Sequence, residues 1–245
     1  SKAAGFVALV VLIYTAFPLS EAIWQPFIWV LSALTMTIGN VLALKQKNIV
    51  RMIAYSSISQ GGFVLMPLAV AGLVGSGSTA LRSVVLYMIV YAATNLGIFA
   101  VILAVSNKTR SGDVSSFGGL FSYAPALGVL MTLFLASLAG IPPLGGWIAK
   151  FVAFQSLIQS QSAWGYALAI IGAVNSVVAF GYYGNVMREI WMRPVPDGDV
   201  TPITIPGSLR LALVITAGAT LVFGVLPGVG LYFADLAEIA GAIIR

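Results

Sequence analysis

Lys150 is the residue whose type and position most clearly imply chemistry in this sequence. It lies within residues 124–158, an otherwise almost wholly apolar stretch, just after a helix-breaking run that contains Gly140, Pro142, Pro143, Gly145 and Gly146. An ammonium inside a hydrophobic span costs about 3 kcal/mol or more unless water or a partner charge meets it. Backbone groups freed by the break must also face protein or a wet cavity. The arrangement predicts an ion or proton pathway; the alternative is a lysine that reaches out to the membrane interface.

Lys2 is the second basic residue that the sequence assigns to the membrane interior. None of the seven acidic residues falls within a predicted span, so neither lysine has an acidic partner inside the spans of this chain. Burial disfavours the charged form of an amine, and a buried lysine can therefore alternate between charged and neutral states. Such a group can carry a proton. Because Lys2 stands near the start of the sequence, reaching the interface is an open alternative for it as well.

Polar side chains in several spans supply what a proton path would need. Tyr87, Tyr91 and Asn95 recur at intervals of four residues and therefore share one helical face. Ser59 and Gln60 lie in the preceding span. Other spans add Thr35, Thr37, Asn40, Tyr55, Ser56, Ser57, Thr94, Asn175, Ser176, Tyr182 and Tyr183. Individually such residues commonly join membrane helices, whereas together they could line a hydrated path between Lys2 and Lys150.

The composition identifies the class of protein. Of 245 residues, 60% are hydrophobic and 8% are charged, whereas a soluble domain carries roughly 25% charge. The net charge of +5 is small and indicates membrane topology rather than nucleic-acid binding. The absence of cysteine and histidine excludes disulfides, thiolate or imidazole metal ligands and histidine bases. We find no metal-ligand cluster, phosphate-binding loop or redox centre, and no cleavable signal peptide.

The pattern predicts an all-α polytopic membrane protein with about seven transmembrane helices, since a span needs about 20 apolar residues. The missing methionine and the short first apolar run suggest a chain that lacks its N-terminal part. The predicted spans are 1–17, 27–44, 50–74, 82–106, 124–158 (discontinuous), 163–187 and 209–226. Residues 188–208 form a loop, and 227–245 form a tail helix at the interface. Gly61, Gly62 and Pro67 suggest a kink in the third span.

Basic residues are concentrated on alternate connections. Eight of them lie at the second, fourth and sixth connections: Lys45, Lys47, Arg51, Lys108, Arg110, Arg188, Arg193 and Arg210. Only Arg82 and Arg245 lie at the opposite ends. The positive-inside rule then predicts a multi-pass protein of a bacterial-type cell membrane with loops 45–51, 107–117 and 188–210 in the cytoplasm and the 227–245 tail outside.

Two long motifs resemble those of a known family. The run from Asn40 to Arg51, continuing into Tyr55–Gln60, resembles the signature of the antiporter-like membrane subunits of respiratory complex I, an NADH:quinone oxidoreductase. The run from Ser137 to Gly146, followed by Lys150 and Phe151, is most similar to the N-type subunits, and Ser1–Ala4 resembles their central lysine motif. The likeness covers essentially the whole chain.

The resemblance implies a fold and a set of roles. Members have fourteen transmembrane helices with two inverted five-helix repeats, each containing a discontinuous helix. This chain would correspond to helices eight to fourteen, with the second repeat at 27–187 and the discontinuous twelfth helix at 124–158. Lys2 would then be the central lysine and Lys150 the lysine of the half-channel on the outer side. No cofactor is expected in this chain; flavin, iron–sulfur clusters and quinone belong elsewhere in the complex. The expected partners are other complex I membrane subunits, including antiporter-like ones, and the lipid bilayer.

The sequence departs from the family pattern at two positions. Many relatives have lysine at the position of Val50 and histidine at that of Gln60, so a histidine relay through the third span is impossible here. Water, with Gln60, Tyr87, Tyr91 and Asn95, would have to connect Lys2 to Lys150.

The sequence therefore predicts a proton-translocating subunit of an NADH:quinone oxidoreductase, a translocase without a redox site of its own. One alternative is a subunit of a multisubunit Na⁺/H⁺ antiporter of the same superfamily. A second alternative is a non-conducting scaffold whose interior polar groups have no transport role.

Overall fold

The computed structural model describes residues 2–17, 20–73 and 77–243, without the side chains of 77, 78 and 237–243. Ser1 and Arg245, which the sequence analysis singled out, lie outside the described residues. These residues form ten α-helices in order: α1 Lys2–Ala16, α2 Glu21–Leu44, α3 Ile49–Leu65, α4 Gly77–Thr109, α5 Leu120–Tyr123, α6 Pro125–Ala139, α7 Gly145–Gln159, α8 Ala163–Met192, α9 Gly207–Val225 and α10 Pro227–Ile243 within the described part of the chain. Short 3₁₀ turns lie at Leu68–Val70 and Val114–Phe117.

The predicted all-α membrane fold is confirmed. Five described segments are long and apolar enough to cross a membrane: 21–44, 49–70, 79–109, 163–192 and 207–225. The apolar helix α1 and the pair α6 and α7, separated by residues 140–144, account for the other two predicted spans. The discontinuous helix predicted at 124–158 is therefore present.

Several boundaries differ from the predicted ones. Helix α2 begins at Glu21 and includes Pro26, whereas Pro26 was expected to precede it. Pro26 is the sixth residue of α2 and removes the backbone bond to Ala22 O; membrane helices tolerate such a proline where neighbouring groups satisfy the freed carbonyl. Helix α8 continues to Met192, so the following connection is 193–206 rather than 188–208. Near Pro67 the third span changes from α-helix to a 3₁₀ turn, while α3 runs uninterrupted through Gly61 and Gly62.

The three connections that carry most of the basic residues meet at one end of the bundle. The Ile49 N–H donates to Gly112 O at 2.7 Å, and the Val114 N–H donates to Lys47 O at 2.8 Å. The Lys108 ammonium donates to the carbonyl oxygens of Asp199 and Thr201, at 2.9 and 2.5 Å. The 193–206 connection is thus fixed to the end of α4. We call this the basic end; its cytoplasmic location remains a prediction.

The interior consists of two apolar clusters. One cluster, toward the basic end, includes Ile53, Val105, Phe117, Val186 and Ile190. The other, toward the opposite end, includes Phe63, Met66, Val84, Leu157 and Leu168. Buried polar side chains from α3, α4, α6, α8 and α9 lie between these clusters: Ser56, Ser59, Gln60, Thr94, Ser137, Asn175 and Thr220. This middle layer contains the candidate site.

Candidate functional site

The break between α6 and α7 provides hydrogen-bond acceptors in the middle of the bundle. Helix α6 ends at Gly140, which has φ 92°, a left-handed conformation that glycine adopts readily. The N–H groups of Gly140 and Ile141 both donate to Ala136 O, at 3.1 and 3.0 Å. The carbonyls of Leu138 and Ala139, in the last turn, have no partner within the helix and need one from elsewhere.

Lys150 provides one of those partners. Its side chain is buried, with 6% exposure, and Nζ donates to Ala139 O at 3.1 Å. The same Nζ lies 4.7 Å from the centre of the Phe63 ring. A helix C-terminus carries a partial negative charge and an aromatic face attracts cations, so both contacts favour the ammonium form. None of the ion pairs between described side chains includes Lys150.

Gln60 provides the second partner and connects four helices. Its Nε2 donates to Leu138 O of α6 and to the Tyr183 hydroxyl of α8, both at 3.2 Å. Its Oε1 accepts from the Tyr87 hydroxyl of α4 at 2.5 Å. The Tyr183 hydroxyl also bonds Ser56 on α3. Gln60 and Lys150 therefore bind adjacent carbonyls at the end of α6, and a continuous polar network starts at the break.

For Tyr182 and Tyr183 both roles, packing and lining a path, were open from the sequence, and the Tyr183 hydroxyl belongs to this network. Tyr182 follows a different route: its hydroxyl donates to Asn40 Oδ1 at 2.9 Å. Asn40 Nδ2 in turn donates to Asn175 Oδ1 at 2.9 Å. These bonds join α2 to α8.

Lys2 contacts α3 at Ser57, one turn before Gln60. Its Nζ donates to the Ser57 hydroxyl, while the rest of the side chain is exposed. The Tyr91 hydroxyl is buried near Ser57, and its geometry forms no hydrogen bond with a described residue. Ser57 and Phe63 are six residues apart, so the contacts of the two lysines lie about 9 Å apart along α3.

Ser59 and Asn95 differ from the other predicted path residues. The buried atoms Ser59 Oγ and Asn95 Oδ1 form no hydrogen bond with any described residue. Buried polar atoms are nearly always hydrogen-bonded, to protein or to ordered water. Together with the Tyr91 hydroxyl, these atoms lie on α3 and α4, the two helices that carry Ser57, Gln60 and Tyr87. Of the seven predicted residues, Lys150, Gln60 and Tyr87 are thus joined by direct contacts around the break, whereas Lys2, Ser59, Tyr91 and Asn95 are not joined to them directly.

The residues of α9 that pack against the break at 140–144 were not predicted from the sequence. Ser137 Oγ accepts from the Gly146 N–H at 3.0 Å and lies 3.4 Å from Thr94 Oγ1, which is 3.3 Å from Thr220 Oγ1. Gly224 packs so closely on residues 143 and 144 that a Cβ there would lie 2.6 Å from Leu144 Cα. The recurrence of Thr216, Thr220 and Gly224 at four-residue intervals on α9 was the available signal.

Among the described residues, no group of three or more His, Cys, Asp or Glu side chains is placed to hold a metal ion. The polar layer offers hydroxyls, amides, backbone carbonyls and one buried amine. These groups can bind water and protons.

Comparisons with known proteins agree with the all-α membrane fold. A family profile described as "NADH:quinone oxidoreductase/Mrp antiporter, TM" matches residues 1–177. A Trichlorobacter lovleyi protein named NADH-quinone oxidoreductase subunit N is 40% identical over 238 residues, which cover 96% of this chain and 47% of that relative. The chain thus spans about half the length of the curated relatives it matches.

Solved structures have the same fold. In respiratory complex I from Thermus thermophilus with bound aureothin, a chain superposes with a TM-score of 0.70 at 27% identity, covering 84% of this chain and 45% of that one. In the Mrp complex from Dietzia sp. DQ12-45-1b, the TM-score is 0.77 at 20% identity, with coverage of 91% and 48%. At that identity, the second similarity shows the fold alone.

Proposed function

The chain belongs to the NADH:quinone oxidoreductase/Mrp antiporter transmembrane family, and from that premise we propose that it translocates protons as a membrane subunit of an NADH:quinone oxidoreductase. The relatives with 36–40% identity that bear the name subunit N support this assignment. In this proposal the flavin, the iron–sulfur clusters and the quinone belong to other parts of the complex. The partners are its other membrane subunits, including antiporter-like ones, in a bacterial cell membrane with the basic end in the cytoplasm.

The observation that carries the proposal is the buried amine of Lys150 at the helix break. A charged lysine has three N–H donors, of which one binds Ala139 O. A neutral amine keeps two N–H donors and gains a lone pair. The bond to Ala139 O can therefore persist in both states, so the break holds Nζ in place while the proton arrives and leaves.

The second half of the proposal concerns the connection to Lys2. Direct hydrogen bonds run from the break through Gln60 and Tyr183 to Ser56, while Lys2 binds Ser57. The buried oxygens of Ser59 and Asn95 need partners, and ordered water beside them would complete the route. In this role Lys2 exchanges a proton with the part of the path before it, and Lys150 passes the proton outward.

Replacement of Lys150 tests the proposal. In the assembled enzyme reconstituted into vesicles, Lys150→Met should lower the number of protons translocated per NADH oxidised. The matched control is Lys45→Met, which removes an exposed lysine at the basic end and should leave the ratio unchanged. An unchanged ratio in a fully assembled Lys150→Met enzyme would overturn the assigned role.

The same vesicles separate the two alternatives. Sodium-dependent proton exchange in the absence of NADH would indicate a Na⁺/H⁺ antiporter subunit. A non-conducting scaffold predicts a dry interior, so an experimental density map without water beside Ser59, Tyr91 and Asn95 would favour it.

A further inference from the structure

A cavity at the end opposite the basic end combines a polar rim with an apolar interior. Its volume is about 270 Å³, and it lies between α4, α7 and α10. Thr79, Arg82, Gln155 and Gln159 form the polar part, and the aromatic rings of Trp147 and Phe151 belong to the apolar part.

Arg82 is an exception to the charge pattern of the chain. Eight basic residues lie on the basic connections, but Arg82 lies in the second turn of α4, at its other end. Twenty-seven residues separate it from Thr109, about 40 Å of helix, which exceeds the hydrocarbon thickness of about 30 Å. Arg82 is therefore at headgroup depth in the outer leaflet of the proposed orientation.

An ion pair fixes the guanidinium at this position. Arg82 Nε lies 2.7 Å from Asp235 Oδ1, and Nη2 donates to Oδ2 at 3.4 Å. Both side chains remain partly exposed, with 34% and 48% exposure. Since a guanidinium has five N–H donors, donors remain for a ligand.

Gln155 and Gln159 are polar residues with no internal role. They are one turn apart on α7, both are exposed, and neither amide forms a hydrogen bond with the described part of the chain. Lys150 projects from another face of the same helix, toward Phe63 on α3. The cavity is therefore not a continuation of the Lys150 site.

We propose that this cavity binds the headgroup of a phosphatidylethanolamine molecule. The phosphodiester would accept hydrogen bonds from Arg82 and the two glutamine amides, and the ammonium would lie against Asp235. An acyl chain would follow the apolar wall along Trp147 and Phe151. The adjacent positive and negative side chains match the adjacent negative and positive groups of this lipid. The proposal does not depend on proton transfer.

Lipid retention by the purified, assembled complex tests this site. The complex is stripped of loosely bound lipid, exposed to vesicles of phosphatidylethanolamine, phosphatidylcholine or phosphatidylglycerol, and analysed by native mass spectrometry. The wild type should retain phosphatidylethanolamine in preference to the other two. Arg82→Gln and Asp235→Asn should each weaken retention about five-fold, because one charged contact near the surface contributes about 1 kcal/mol.

Two further variants distinguish the loss of the lipid site from misfolding. Gln155→Leu combined with Gln159→Leu changes only exposed side chains and should also reduce retention. The control Arg210→Gln removes one exposed positive charge at the basic end and should have no effect. Equal retention of all three lipids, or unchanged retention in both the Arg82→Gln and the double variant, would overturn the proposal.

Discussion

Gly224→Ala tests whether α9 holds the helix break. A Cβ at Gly224 would lie 2.5 Å from the Leu144 carbonyl carbon and 2.6 Å from Leu144 Cα, and closer still to Pro143 O. Favourable contacts between carbon atoms lie at about 3.5–4.0 Å. All three atoms belong to the backbone of residues 140–144, so no side-chain rotation relieves the overlap. Either α9 or the connection between α6 and α7 must move.

A second glycine on the same helix isolates this overlap. A Cβ at Gly218 meets no atom within 4 Å. Replacing a glycine inside a helix by alanine stabilises it by about 0.5–1 kcal/mol, and both variants gain this amount. Overpacking costs about 1–3 kcal/mol, and only Gly224→Ala incurs this cost. The two variants should therefore differ in free energy of unfolding by about 1–3 kcal/mol, with Gly218→Ala the more stable.

Proton translocation should also be impaired in Gly224→Ala and not in Gly218→Ala, because the break positions Lys150. If residues 140–144 move, Ala139 O moves relative to Lys150 Nζ. We expect fewer protons per NADH oxidised in Gly224→Ala and an unchanged ratio in Gly218→Ala, both measured in assembled enzyme in vesicles alongside thermal unfolding. Two variants with the same stability and the same ratio would refute the reasoning.

Two other predictions concern the polar layer and the basic end. Gln60→Leu should destabilise the protein by about 1–3 kcal/mol, because it leaves the Tyr87 hydroxyl and the Leu138 carbonyl without their partner. Gln60→His keeps a donor and an acceptor, so thermal unfolding should show a smaller loss of stability. Equal losses in the two variants would contradict the bridging role of Gln60. At the basic end, the Thr201 backbone N–H, with the Thr201 hydroxyl and Lys108, lowers the pKa of Asp199 below its ordinary value of 3.8. A lowered pKa stabilises the folded connection above pH 3.8, and this stabilisation disappears as the pH falls through the folded-state pKa. The measurement is cleavage of this connection by an acid-active protease, corrected for the pH profile of the protease itself. Cleavage should increase on acidification in the wild type, whereas the Asp199→Asn variant should be cleaved readily at every pH. Parallel pH profiles for the two proteins would contradict the prediction.

The sequence predicted the parts of the site that depend on local pattern. The apolar stretch at 124–158 and its run of glycines and prolines were sufficient to predict a discontinuous helix with Lys150 beside it. The interval of four residues placed Tyr87, Tyr91 and Asn95 on one face of α4, but only Tyr87 directly contacts the network around the break. Which member of such a face meets a partner depends on how neighbouring helices pack, and periodicity contains no information about that.

The contacts that hold the break depend on tertiary packing in the same way. Gly224 is distant in sequence from residues 143 and 144, and no local signal pairs them. For Tyr183 the sequence left packing and a place in a polar path both open. Its hydroxyl bonds both Gln60 and Ser56. The sequence identifies these polar groups but does not predict which of them form hydrogen bonds with each other.

The polar layer lies between two apolar clusters, and none of the ion pairs between described side chains includes Lys150. On either side of the layer, large side chains such as Phe63 and Phe117 are almost fully buried. An amine there is costly, and the Ala139 carbonyl and the Phe63 ring offset part of that cost. A full ion pair would hold the proton firmly on nitrogen. A carbonyl and an aromatic face stabilise the ammonium more weakly, which suits the proton carrier that we propose Lys150 to be.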